Sequence, residues 1–306
     1  MSMSILVILG GGIGNCIQAT PAIGALIKDG CKVDVLIHCN TTGVSREDFE
    51  ILAIPGLGKV FFNDEKPKEK YDYQLSGPFT PGFKHNAKNF CRVKKYSRHY
   101  PESDLFYDMA KEIGVVSPKQ PALINIVATG NNVEKGTVAI YPGSKHAWAM
   151  KRWDKYDKLT NHLAKVLLVG RKNDIISHGD PAWIERKWEW GKHVKTFYGS
   201  LKETAWAISQ CRMFIGNDGG LAHVAAATGI PTFIIFGPSS VVKNTPFNDN
   251  AHAIHYNLKE PKLKCQPCQF NGKKWFDGGK IGCPYGMECM TKLTVKDVLD
   301  FIKDNK

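Results

Sequence analysis

The chain has 306 residues, enough for about two domains, and its 43% hydrophobic and 23% charged residues exclude a disordered tail protein, a collagen-like chain and a disulfide miniprotein. Lys plus Arg (41) exceed Asp plus Glu (29), and the resulting formal charge of +12 predicts acidic partners such as phosphates, nucleic acid or anionic headgroups. No stretch approaches the ~20 apolar residues that span a bilayer and no basic, apolar leader opens the chain, so the expected location is cytoplasmic, with peripheral contact at the inner membrane surface as a variant.

Ser4–Leu9 is a continuous apolar run, the pattern of a strand buried on both faces. Gly10–Gly14 turns the chain, and Asn15–Lys28 carries apolar residues at helical spacing, with Pro21 as a kink or break. Lys32–Ile37, Lys59–Phe62 and Tyr71–Leu75 read as strands, and Ser45 as the N-cap of a helix to about Ala53. From Ser76 to Pro101 the pattern breaks down. A helix over Glu102–Ile113 follows, then a strand at Ala122–Val127.

After the polar stretch Thr129–Gly136 the alternation restarts. Strands are expected at Thr137–Tyr141, Lys165–Val169, Val194–Phe197, Met213–Ile215 and Thr232–Phe236. Helices are expected at Asp154–Ala164, Pro181–Trp190, Leu201–Gln210 and Gly220–Thr228, with a closing helix over Thr294–Lys303 capped by Thr294. Such alternation predicts an α/β protein of two Rossmann-like, doubly wound halves. The boundaries read as 1–130, then 136–290 including a cysteine-rich module at 264–290, then 291–306 as the closing helix.

The first glycine loop lies between a strand and a helix, where backbone N–H groups can meet an anion. It lacks the dinucleotide fingerprint: the sixth position is Asn15 counted from Gly10, or Ile17 from Gly12, and no acid ends the second strand. It is no P-loop either, since no Gly-Lys-Ser/Thr follows. A tight turn without a ligand is the alternative reading. In the second half, Ala139–Ser144 is a strand entering a turn, and Lys151-Arg152 could clamp a diphosphate or simply form a solvated helix start. The sharpest feature is Asn217-Asp218-Gly219-Gly220 between a strand and a small-residue helix. Its glycines suit a pyrophosphate. Asp218 could cap the helix or accept from a sugar hydroxyl, and His223 could face a ligand or the core.

The string Asn217–Pro238 resembles the signature of glycosyltransferase family 9, the lipopolysaccharide heptosyltransferases and their relatives. Tyr141-Pro-Gly-Ser144, Lys151-Arg-Trp153 and Gly11–Ala22 are similar to that family's other motifs, in order. The resemblance implies a GT-B architecture, two Rossmann-like domains facing a cleft, acceptor in the first and nucleotide-sugar donor in the second, with inverting transfer and no catalytic metal. It implies donor contacts from Gly143, Ser144, Lys151, Arg152, Asp218, Gly219, Gly220 and His223. Lys151 would stabilise the departing diphosphate, where developing charge needs cations and oriented amides. Gly12 and Gly14 would lie on the acceptor side. Where the heptosyltransferases carry an aspartate base, this chain has Asn15. An amide cannot take the acceptor's proton, so His99, Glu102 or Asp108 becomes the candidate base; the other reading is a non-catalytic module that binds nucleotide sugars.

Cys265, Cys268, Cys283 and Cys289 follow the spacing C-x2-C-x14-C-x5-C, which suits a tetrahedral structural metal, zinc ahead of iron. Independent reduced thiols are the alternative. Autotransporter heptosyltransferases look similar in carrying a four-cysteine iron finger here. Finally, the acid-free segment Ser76–Pro101 holds Lys84, Lys88, Arg92, Lys94, Lys95 and Arg98 among aromatics. Lys84, Arg92, Lys94, Lys95 and Arg98 are the candidate acceptor contacts. They suit an anionic glycan or glycolipid, with DNA or a protein acceptor as alternatives and a solvated loop as the plain reading.

Overall fold

Strand β1 (Ser4–Gly10) is the centre of the first sheet, and Ile5–Leu9 are at most 1% exposed, as expected for a run apolar on both faces. The computed structural model describes residues 2–38, 45–63, 65–80, 82, 84–94, 97, 99–144, 146–172, 188–269 and 283–305. The chain divides into two compact units: residues Met1–Ile126 with Pro246–Asn248, and Val127–Thr245 with Asp249–Lys306. Among the described residues, no helix is long and apolar enough to cross a membrane.

In unit 1 the glycine turn leads into two short helices, α1 (Ile13–Ile17) and α2 (Thr20–Lys28). Pro21 stands in the first turn of α2, where its missing N–H costs nothing; this is why one helical pattern becomes two helices. Strands β2 (Lys32–His38), β3 (Val60–Phe62), β4 (Tyr71–Ser76) and β5 (Ala87–Arg92) complete a parallel sheet in the order β3-β2-β1-β4-β5. Helix α3 (Glu102–Glu112) packs against α2.

Three expectations for this unit are corrected. The helix after Ser45 is a 3-10 helix over Glu47–Leu52. The patternless basic segment contains a strand, β5, on the sheet's edge and mostly exposed, so no apolar alternation marks it. Ala122–Val127 forms no strand. Its amides go to scattered partners, Ala122 to Phe247 O, Leu123 to Thr20 Oγ1 and Asn125 to Ile51 O, which builds no ladder.

Unit 2 holds β6 (Val138–Tyr141), β7 (Val166–Val169), β8 (Val194–Phe197), β9 (Met213–Asn217), β10 (Thr232–Phe236) and β11 (Ala251–His255). All pairs are parallel, in the order β11-β10-β9-β6-β7-β8. Its helices include α4 (Tyr156–Thr160), shorter than the expected Asp154–Ala164, α5 (Leu201–Ser209), α6 (Gly220–Ala227), α7 (Val241–Asn244), α8 (Glu288–Thr291) and α9 (Val295–Asp304). Thr294 caps α9 as expected: its Oγ1 accepts from Asp297 N at 3.2 Å, and Asp297 Oδ2 accepts from Thr294 N at 2.8 Å. Val298 and Ile302 of α9 enter a core with Val138, Ile140, Phe233 and Ile235. The expected helix Pro181–Trp190 lies outside the described residues over 181–187, as does the cysteine module over 270–282.

Candidate functional site

Both sheets reverse strand order beside their first strand. In unit 2, β6 has β7 and β8 on one side and β9, β10 and β11 on the other, the Rossmann order. Ligands of open α/β sheets bind beyond the carboxyl ends of the strands at such a switch point, here the turns after β6 and β9.

Asn217, the last residue of β9, ties these turns together and is fully buried. Its Nδ2 donates to Pro142 O (2.9 Å) and Gly143 O (3.1 Å), while its Oδ1 accepts from Trp153 N (3.1 Å) and Tyr156 OH (2.9 Å). All four hydrogen-bonding positions of the amide are used. Ser144 and Arg152 also hold the loop, with Arg152 donating to Ser144 Oγ (3.1 Å) and Ser144 O (2.8 Å).

Asp218 follows, 4% exposed. Its Oδ2 accepts from Lys151 Nζ (2.7 Å) and Asn244 Nδ2 (2.9 Å). Burial works to raise its pKa, but the Lys151 charge and hydrogen bond, with a smaller share from His223, outweigh burial and hold the carboxyl below its ordinary value. Asp218 is thus an ion-pair partner and does not cap the helix. Gly219 is the N-cap of α6, where a Cβ would lie 3.3 Å from Tyr141 Cε1. Gly220 opens the helix, and His223 is buried one turn in. The positive pole of α6 therefore adjoins Lys151 and Asp218.

Sequence reasoning missed Lys243 and Asn244. Lys243 is 3% exposed, and its Nζ donates to Asn244 Oδ1 at 3.2 Å. A chain of side chains thus runs Lys243–Asn244–Asp218–Lys151. The only sequence signal for the pair is the polar turn after β10. Ser240 caps α7 by accepting from Lys243 N. The loop after β10 is in turn held by two glutamines: Gln266 Nε2 donates to Phe236 O and Gly237 O, and Gln269 Oε1 accepts from Ser240 N at 2.7 Å.

Those glutamines stand next to Cys265 and Cys268. The four expected ligands, Cys265, Cys268, Cys283 and Cys289, line one cavity with Met150, Pro238 and Tyr285. None of the four is in a disulfide. Burial, with the neighbouring Cys268, Cys283 and Cys265 adding to it, pushes the Cys289 thiol up to about 12. Among the described residues, however, no three His, Cys, Asp or Glu side chains converge closely enough to hold a metal ion.

In unit 1 the switch point lies between β1 and β4. Gly12 is the N-cap of α1 and Gly14 lies in its first turn, and Gly12 N donates to Asn15 Oδ1 at 3.2 Å. The Asn15 Nδ2 donates to Glu102 Oε1, and Glu102 is fully buried. Of the three candidate bases, Glu102 is the one joined to Asn15. His99 is exposed, and Asp108 pairs with Lys111 (2.8 Å) and accepts from Tyr100 OH.

The basic segment is less unpaired than its sequence suggests. Lys88 meets Asp72 at 2.7 Å and Lys94 meets Glu112 at 2.9 Å. Arg92 Nη2 donates to Thr80 O at 3.4 Å, and Lys84 lies 4.9 Å from the Phe90 ring centroid. Lys95 and Arg98 lie outside the described residues.

Two parallel sheets of Rossmann-like strand order, with a glycine turn at the switch point of each, define a two-unit α/β architecture. The profile of glycosyltransferase family 9 (heptosyltransferase) matches residues 105–274, and the chain belongs to that family. A curated relative, lipooligosaccharide heptosyltransferase 2 of Campylobacter jejuni, is 34% identical over 146 residues, 44% of this chain and 42% of that protein. The match thus spans less than half of the relative's length. Two solved structures share the fold. The family 9 glycosyl transferase of Veillonella parvula has a TM-score of 0.68 at 17% identity, covering 99% of this chain and 97% of that one. The iron-containing heptosyltransferase TibC of enterotoxigenic E. coli, in complex with ADP-D-β-D-heptose, has a TM-score of 0.67 at 16% identity, covering 99% and 76%.

Proposed function

We propose that this protein moves a sugar, heptose or a relative of it, from a nucleoside-diphosphate sugar to an anionic glycan acceptor such as a lipopolysaccharide core, inverting the anomeric centre. The observation that carries the reading is the buried Lys151–Asp218–Asn244 cluster beside Gly219-Gly220 at the switch point of unit 2. In this reading, an acceptor hydroxyl attacks the anomeric carbon. The bond from that carbon to the diphosphate oxygen breaks, and the electron pair leaves with the nucleoside diphosphate. Lys151 and the α6 amides stabilise the charge that develops there. Lys243 adds a second ammonium to the same cluster, and Gly143, Ser144, Arg152 and His223 shape it. The acceptor proton passes to the Glu102 carboxylate, which Asn15 faces; Gly12, Gly14 and the cations Lys84, Arg92, Lys94, Lys95 and Arg98 belong to the acceptor side. The relatives' names favour a glycan acceptor and give no support to DNA or protein. The place of work in this reading is the cytoplasmic face of the membrane.

A structural metal is part of the same proposal. Four thiols around one cavity form a soft donor set that suits zinc or iron, and the neighbouring glutamines would transmit its order to the loop after β10. Metal content of the purified protein, before and after Cys265→Ser, tests it; unchanged content refutes it.

The central test is transfer of labelled sugar from ADP-heptose and other nucleotide sugars to core oligosaccharides. The parent is expected to turn over, and Asp218→Ala and Lys151→Ala to lose about 100-fold or more in kcat. A parent that binds nucleotide sugar without turnover selects the non-catalytic alternative.

A further inference from the structure

The loop after β4 presents a large aromatic ring in a costly backbone conformation at the switch point of unit 1. Phe79 is 57% exposed, and its φ is +61°. That left-handed region is disfavoured for a bulky residue and persists only where the surroundings impose it.

The surroundings do impose it. Gly77 N donates to Ile8 O at 3.0 Å, and a Cβ on Gly77 would overlap the Phe106 ring. Thr80 Oγ1 donates to Gly77 O at 2.7 Å, and Arg92 donates to Thr80 O. A Cβ on Gly10 would lie 2.5 Å from Phe79 O, so the turn rests directly on the backbone of the glycine loop. One on Gly11 would lie 2.9 Å from Asn15 Oδ1 and 3.4 Å from Phe79 Cδ2. The Phe79 ring and the Asn15 amide therefore flank the same glycine. Burial does not account for a half-exposed ring on so closely held a backbone, since the hydrophobic effect rewards removal from water.

We propose that Phe79 is a sugar-stacking platform for the acceptor. Its π-face receives the C–H face of one pyranose ring, whose partial positive charge the ring quadrupole attracts. The hydroxyls on that sugar's rim then meet the Asn15 amide and the Arg92 guanidinium. An exposed ring on a loop that also touches an amide and a cation suits a sugar, which alternates apolar faces with polar edges. The inference deepens the acceptor side of the proposed transfer and rests on that reading.

The test uses soluble core oligosaccharide released from lipooligosaccharide, with ADP-heptose as donor. Phe79→Ala and Phe79→Gly are expected to raise KM for the oligosaccharide about tenfold or more, with KM for ADP-heptose unchanged and Phe79→Trp close to the parent. Phe79→Gly is also expected to raise the thermal midpoint, because glycine relieves the left-handed backbone. A gain in stability with a loss of acceptor affinity is a pairing that a purely structural role would not produce. Saturation-transfer NMR on the parent should mark ring C–H protons of one sugar, and the signal should vanish in Phe79→Ala. Parent-like oligosaccharide KM in both small variants overturns the platform while leaving the transfer intact. A parent that binds ADP-heptose but neither binds nor modifies the oligosaccharide overturns the acceptor reading, and the platform with it.

Discussion

At the scale of single residues, Asp218 decides most. Its carboxyl is ionised in a buried place because Lys151 pairs with it. A carboxyl held below its ordinary value of 3.8 contributes stability that is full above that value and is lost as pH falls through the lower, folded one. Lys151→Met removes the largest opposition to burial and turns that contribution into a penalty at neutral pH. We expect it to destabilise by about 3 kcal/mol at pH 7, the low end for breaking a buried pair, because Asn244 still donates. The gap in thermal midpoint between parent and variant should narrow as pH falls towards 4; a gap that stays constant would show that Asp218 is not the group responsible. Asn15→Asp makes the opposite experiment in unit 1. It sets two carboxylates in contact, and like charges raise the pKa of one of them. The acidic limb of the pH–rate profile is then expected to move to higher pH. Asn15, Lys151 and Asp218 were singled out by their place in motifs that resemble the family's, and Glu102 only as one of three candidate bases. Lys243 and Asn244 were not, because only folding brings a short turn after β10 back to the end of β9.

Elements were legible where one face dominated the pattern. The apolar runs of β1, β9 and β10 announce themselves, as does the Thr294-x-x-Asp297 box before α9. Thr294→Ala is expected to cost about 1 kcal/mol, read as a lower urea midpoint at unchanged slope. Edge elements are different. β5 satisfies its backbone on β4 while its side chains face water, so neither alternation nor an apolar run was there to find. The converse error came from Ala122–Val127, apolar enough for a strand but with its amides committed to Thr20, Ile51 and Phe247.

For the whole molecule, the charge of +12 is a poorer guide than its distribution. Lys88 and Lys94 find acids that come from β4 and α3, remote in sequence, which no scan of an acid-free segment reveals. The division into two units has a measurable consequence. A nucleoside diphosphate at 100 times its Kd stabilises the unit that binds it by about 2.7 kcal/mol. Hydrogen exchange with ADP present is expected to slow in the turns after β6, β9 and β10, with the residues of β1 to β5 unchanged. Equal slowing in both sheets would contradict the assignment of the nucleotide to unit 2.

The Cys265-Gln-Pro-Cys268-Gln269 turn has a bearing beyond packing. Its sulfurs line the cavity while its two glutamines grip the loop that carries Lys243 and Asn244. With the donor placed as proposed, sulfur chemistry and sugar-nucleotide affinity are expected to be linked through these three hydrogen bonds. An alkylating reagent or oxidant that reaches Cys265 or Cys268 would weaken the grip on nucleotide from a distance, and a bound nucleotide would slow that reagent in return.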